Sequence, residues 1–129
     1  MGCKQPVHPA CAPVPAGFYT PAVIAGGLVF VSGQTPEKPG TSETVQGDIK
    51  VQTRQVMENI KNILAAADCS MNAIVKVEVH LARFSDFQGF NEVYGEYFAK
   101  PYPSRITVQS VRDGDALLEV AVTAVHGDR

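Results

Sequence analysis

No basic run or stripe appears anywhere in the 129 residues. The 11 lysines and arginines and 13 acidic residues are intermixed, for a net charge of -2. A nucleic-acid partner calls for a concentrated basic face, so such a partner is not expected. No apolar run approaches the roughly 20 residues that a membrane-spanning helix needs. Met1–Pro15 lacks the apolar stretch of a secretory signal, so none is expected. Cysteine is scarce as well. Cys3, Cys11 and Cys69 are an odd number without framework spacing, which suits free thiols in a reducing compartment and points to the cytoplasm. A Gly-rich phosphate loop is missing, and no Ser/His/Asp or Cys/His arrangement follows from the spacings.

What is present is ordinary globular material, 45% apolar and 19% charged. The length suits one domain over 1–129, with residues 1–16 reading as a proline-rich extended arm. Phe18–Val23 and Leu28–Ser32 are short β-type runs around Ala25-Gly26-Gly27, which predicts a hairpin. Gln34–Gly47, with Pro36, Pro39 and Gly40, reads as a surface loop. Asp48–Ala67 is helical in pattern: Val56, Ile60, Ile63, Leu64 and Ala67 fall on one stripe. Ile74–Leu81 alternates, with Val75, Val77, Val79 and Leu81 on one face and Lys76, Glu78 and His80 on the other. Ser85–Phe98 reads as a second helix opened by a Ser85/Gln88 capping box, with Phe87, Phe90, Tyr94, Tyr97 and Phe98 along its apolar face. Arg105–Gln109 and Ala116–Val125 close the chain as strands. The order β-β-α-β-α-β-β implies an α+β fold, a mixed sheet with two helices on one face. Both sides of Ala116–Val125 are largely apolar, so the second sheet face needs a cover, and another subunit is the expected one.

Glu119 is the one charged residue in Ala116–Val125, flanked on its face by Leu117, Ala121 and Thr123. A carboxylate in such surroundings must be paired, hydrogen-bonded or shifted in pKa. A functional role would meet that requirement, and so would a structural glutamate at a strand edge, exposed or salt-bridged. Arg105 shares a strand face with Thr107 and Gln109, and its guanidinium fork suits a small carboxylate. A surface arginine opening a strand is the competing reading. Tyr19 could donate a hydrogen bond or be half-buried core. Cys3, His8 and Cys11 match no zinc spacing and are interrupted by Pro6 and Pro9, so no metal is expected. Gly2-Cys3 suggests acylation, but Pro6 stands where the myristoylation pattern wants Ser or Thr.

Taken together, several stretches resemble one family. Gly17-Phe18-Tyr19-Thr20-Pro21-Ala22-Val23 resembles G-P-Y-S-Q-A-V, and Leu28-Val29-Phe30-Val31-Ser32-Gly33-Gln34 matches its strand motif. Gly47-Asp48-Ile49, Gln52-Thr53-Arg54-Gln55 and Glu58-Asn59-Ile60 match a first helix. Asp86-Phe87, Asn91-Glu92-Val93-Tyr94 and Tyr97-Phe98 match a second. Pro103-Ser104-Arg105-Ile106-Thr107-Val108 resembles P-A-R-S-T-V, and Leu118-Glu119-Val120 resembles V-E-I. From about Ala12 to Val125 the chain is similar to the YjgF/Rid family, whose older labels are endoribonuclease L-PSP and translation inhibitor.

The resemblance implies a chorismate-mutase-like homotrimer with clefts between subunits. It also implies hydrolysis of reactive 2-imino acids (2-iminopropanoate, 2-iminobutanoate) to 2-keto acids and ammonia, with no cofactor. By that resemblance Arg105 binds the substrate carboxylate, Glu119 positions or activates water, and Tyr19 lines the cleft. Main-chain groups near Gly33 and Thr107 contact substrate, Asn91 matches a shared asparagine, and Phe18 reshapes the wall beside Tyr19. Ala121 stands where a second acidic residue is often found. A metabolite-sensing or chaperone-like trimer, and a ribonuclease or translation inhibitor, are the alternative readings of the same resemblance.

Overall fold

Gly26 and Gly27 adopt φ of 57° and 77°, the two positive values a tight hairpin turn requires. In the computed structural model, which describes residues 4–9, 12–111 and 114–127, they join β2 (Ala22–Ala25) to β3 (Leu28–Gln34). The first hairpin strand starts at Ala22, later than the expected Phe18. Pro21 cannot donate to the ladder, and its carbonyl instead accepts from Ser32 N at 2.9 Å. A further strand, β1 (Gln5–Val7), pairs antiparallel with β2. Part of the arm is therefore sheet, and the order becomes β-β-β-α-β-α-β-β. A three-residue strand containing Pro6 carries no alternation to read, and proline is tolerated there because β1 is an edge strand.

Helix α1 (Ile49–Ala66) lies within one residue of the expected span at each end. The Asp48 carboxylate accepts from Val51 N at 3.0 Å, satisfying one of the free amides of its first turn. Val56, Ile60, Ile63, Leu64 and Ala67 are all buried, as the stripe requires. Strand β4 (Ile74–Leu81) has the expected bounds but not the expected face for one residue. A register shift between Ile74 and Lys76 turns Ile74 into the core and Val75 outward, while Val77, Val79 and Leu81 stay buried.

The second helix, α2 (Phe87–Gly95), is shorter than Ser85–Phe98, and the capping box does not form. Ser85 sits inside a 3-10 turn over Phe84–Asp86, without the extended backbone that a capping residue needs. Asp86 instead pairs with Arg83 at 3.1 Å. The helix stops at Gly95, but the aromatic face continues: Phe98 stacks on Tyr94 with ring centroids 4.6 Å apart. Tyr97 leaves that face and donates to Glu58 at 2.7 Å.

With β5 (Ser104–Gln109) and β6 (Leu118–Val125), the six strands run β1-β2-β3-β6-β4-β5. The β4–β5 pair is parallel and the others are antiparallel. Leu118, Val120, Val122 and Ala124 of the central β6 are buried and share one core with the buried residues of α1 and α2. The opposite sheet face has no covering element among the described residues. Phe30 and Ile106, which register places on that face beside Thr123 and Glu78, are exposed. No helix among the described residues is long and apolar enough to cross a membrane.

Candidate active site

The strand registers decide how the candidate residues are distributed. Arg105 is opposite Val77 in the β4–β5 pair, and Val77 is core, so Arg105 is on the helix-covered face. Glu119 is opposite His80 in the β4–β6 pair, on the open face. The two residues expected to share a substrate thus lie on opposite faces of one sheet. They line different pockets.

The Arg105 pocket has a volume of about 520 Å³ and includes Asn91, Tyr94, Phe98, Tyr102 and Pro103. The guanidinium lies 4.8 Å from the Tyr94 ring centroid and 5.6 and 5.9 Å from those of Phe87 and Phe90. Such stacking holds a guanidinium plane while leaving its edge free for hydrogen bonds. One edge N–H donates to Asn91 Oδ1 at 2.9 Å. Burial raises the Tyr94 phenol above its ordinary value, against the opposing pull of Arg105. The cation therefore faces a neutral ring rather than a phenolate. Among the described residues the salt bridges are Lys50–Glu92, Arg54–Glu96 and Arg83–Asp86, and none engages Arg105. Arg105 is thus an exposed guanidinium bonded to two neutral groups, Asn91 and Tyr94, an arrangement that can take a small anion.

The Glu119 pocket, about 370 Å³, brings in Tyr19, Ser32, Gly33, Thr35 and Glu37. A register shift in the β3–β6 pair falls between Val31 and Gln34, so Gly33 sits in an irregular stretch of strand beside Glu119. Such irregularities commonly re-aim side chains next to sites. A Cβ added at Gly33 would overlap the Glu119 carboxylate, which rests on the bare Cα. Gly33→Ala is expected to cost about 1–3 kcal/mol, the usual range for overpacking, or to push the carboxylate aside. In a Glu119→Ala background most of that cost should vanish, and a denaturant-unfolding double-mutant cycle checks it. Additive effects would mean the two residues do not compete for this space.

Of the candidates, the structure brings Arg105 together with Asn91, and Tyr19 with Gly33 and Glu119. It does not join these two groups within one chain. Thr107 lies on the Arg105 face of β5, and its hydroxyl is buried without a hydrogen-bond partner. Phe18 is fully exposed and lines a separate pocket with Tyr19, Lys4 and Val23. The aromatic bed under Arg105 was read only as helix core, and Tyr102 was not singled out. The signal available was a run of aromatics at helical spacing ending just before a strand that opens with arginine. Gln52 was also passed over. This buried residue bonds Val45 O, Asp115 O and Leu117 N at 3.0, 3.0 and 2.8 Å, tying the start of α1 to the segment that leads into β6. Of the possible metal ligands in the arm, Cys3 and Cys11 lie outside the described residues. Among the described residues no three His, Cys, Asp or Glu side chains are arranged to hold a metal.

Residues 10–126 match the family model described as Endoribonuclease L-PSP. The chain belongs to this family, also called YjgF/Rid. A RutC family protein of Pyrococcus horikoshii is 47% identical over 122 residues, covering 94% of this chain and 97% of its own. A 2-iminobutanoate/2-iminopropanoate deaminase of Dermatophagoides farinae is 36% identical over 108 residues, 84% of each chain. The crystal structure of E. coli TdcF with bound serine superposes with a TM-score of 0.87 at 36% identity, covering 95% of this chain and 98% of that one. The Rid family thus accounts for both the mixed sheet and the pairing of its two helices with one face.

Proposed function

We propose that this Rid-family protein hydrolyses 2-imino acids to 2-keto acids and ammonia, in clefts assembled from two copies of the chain. The observation that carries the reading is the division of the site. A carboxylate receptor at Arg105 and a carboxylate at Glu119 occupy opposite sheet faces, so one small substrate can meet both only across an interface. The open sheet face, with Phe30 and Ile106 exposed, offers the surface for that interface, and a closed trimer gives three equivalent clefts. The deaminase name of the Dermatophagoides farinae relative and the serine held by E. coli TdcF support a small amino-acid-like substrate.

In this reading the Arg105 fork grips the substrate carboxylate and sets the C=N carbon near Glu119 of a second copy. A water gives its proton to the Glu119 carboxylate as its oxygen bonds to that carbon, and the C=N electrons move to nitrogen. The proton then passes to the amino group of the carbinolamine. The C–N bond breaks, ammonia leaves, and the hydroxyl gives its proton to the Glu119 carboxylate as the C=O bond forms; ammonia then takes that proton and leaves as ammonium. No electrons are gained or lost overall. Such a protein would work where pyridoxal-dependent dehydratases release these imines, the cytoplasm.

A nuclease, which the family description names, would need a row of cations along a groove. The pocket wall here is aromatic around a single arginine, which favours the small acid.

The test is complementation. Arg105→Ala and Glu119→Gln should each be nearly inactive as homotrimers. Unfolded together at equal amounts and refolded, they should regain about one quarter of wild-type sites, because random mixing pairs an intact Arg105 with an intact Glu119 in about a quarter of interfaces. Sedimentation should show trimers throughout. A stable monomer, or no recovery in mixed trimers, would sink the shared cleft.

A further inference from the structure

Glycine weakens a helix relative to alanine, so a helical glycine usually answers to a need for space or for an unusual backbone. The two glycines of α2 differ in this respect. A Cβ at Gly89 would meet Ile49 Cγ2 at 2.8 Å, so the close approach of α1 requires glycine there. Gly95 closes the helix without the positive φ that favours glycine at helix ends. Apart from its chain neighbours and its own helical backbone, a Cβ there would meet nothing within 4 Å. Neither conformation nor packing within the chain calls for glycine at this position.

What Gly95 does face is the Arg105 pocket. Asn91, Tyr94, Gly95 and Phe98 follow the i, i+3, i+4, i+7 spacing that sets residues along one stripe. Tyr102 and Pro103, in the segment just before β5, complete the lining, and Arg105 is its one charged residue. The Tyr102 ring is 61% exposed, and Phe98 is half-buried against Tyr94. Both therefore have ring surface to offer a ligand. Size points the same way. The six non-hydrogen atoms of 2-iminopropanoate need at most about 180 Å³, even at the roughly 30 Å³ each that water molecules take up in the liquid. The pocket holds about 520 Å³.

Resting on the imine-hydrolysis reading above, we infer that this protein's preferred substrates are 2-imino acids with an aromatic side chain, seated in the space that Gly95 keeps open. The C=N carbon carries a carboxylate, the nitrogen and the side chain. With the carboxylate on Arg105, the side chain starts beside the guanidinium and runs along the wall formed by Phe98 and Tyr102. Ring-on-ring contact and the removal of apolar surface from water both favour an aromatic group there. Gly95 and Tyr102 are then the residues that set specificity.

Binding tests this without chemistry. Isothermal titration of the full-length protein with phenylpyruvate and with pyruvate compares the two side chains on one carboxylate receptor. Phenylpyruvate should bind at least about tenfold tighter, since an apolar pocket can gain that much from a single methylene that fits it. Gly95→Leu places a side chain where the ring would lie, and should bring the two affinities within about threefold of each other. Tyr102→Ala removes one ring face and should weaken phenylpyruvate by about three- to tenfold, with a smaller effect on pyruvate. Equal wild-type affinity for the two keto acids overturns the proposal. So does an equal loss for both in Gly95→Leu, the mark of a disturbed fold.

Turnover separates the pocket from the reaction. Imines are generated in situ from alanine and from phenylalanine by an amino-acid oxidase. Wild-type kcat/KM should be about tenfold or more higher for the phenylalanine-derived imine, and Gly95→Leu should reverse that order. If phenylpyruvate binds as expected but neither imine is hydrolysed faster than in buffer, the pocket stands and the proposed reaction falls. If both imines are hydrolysed equally well, the reaction stands and the aromatic preference falls.

Discussion

Glu119→Gln is expected to lower imine turnover by about 10²–10⁴-fold, the range typical of a lost general base, while 2-keto acid affinity changes little. The amide keeps the volume of the carboxylate, so its place over the bare Cα of Gly33 is preserved. What is lost is the ability to take a proton from water. Glu119 is half-exposed on an open face, so the variant should fold and assemble as the wild type does. The decisive pair of readings is the disappearance of 2-iminopropanoate generated in situ and the binding of a 2-keto acid. Wild-type turnover in the variant would rule out Glu119 as the base. A parallel loss of keto-acid binding would make it a binding residue instead.

Arg105→Lys should do the reverse, weakening keto-acid binding and lowering kcat/KM by about 10–10²-fold, which corresponds to the about 1.5–3 kcal/mol of a charge-assisted hydrogen bond. Charge is conserved in this change. Two things are not. The planar guanidinium stacked 4.8 Å above the Tyr94 ring is replaced by a compact ammonium, and the fork that could serve Asn91 and a carboxylate together is gone. Tyr94→Phe keeps the ring face and supplies a control in which the stacking survives. Normal binding and turnover in Arg105→Lys would place the carboxylate receptor elsewhere. Because Arg105 and Glu119 fail in different measurements, the pair separates binding from chemistry even if each variant is poorly active.

Much of this molecule could be read from local pattern. The stripe Val56, Ile60, Ile63 and Leu64 and the cap Asp48 specify α1 because helical period and capping are properties of neighbouring residues. The same holds for the Gly26-Gly27 turn, where only positive φ closes the hairpin. Glu119 stood out as a charge in an apolar strand, whereas Arg105 and Tyr19 read as an ordinary surface arginine and a core tyrosine until the family resemblance grouped them with it. Errors fell where the deciding force was not local. Val75 faces outward because the register shift beside Ile74 depends on how β4 meets β6. Ser85 does not cap α2 because Arg83 and Asp86 draw that segment into a 3-10 turn. Strand β1 exists only because the edge of β2 offers free backbone partners.

The site divides along the same line. The sequence by itself determined which chemical groups are available: a guanidinium, a carboxylate, a tyrosine, and a glycine that leaves room. Tertiary structure alone decided where they lie. Strand register sends successive side chains to opposite faces, and it placed Arg105 on the helix-covered face and Glu119 on the open one. Register depends on partners far apart in the chain, so no spacing between positions 105 and 119 could reveal that separation.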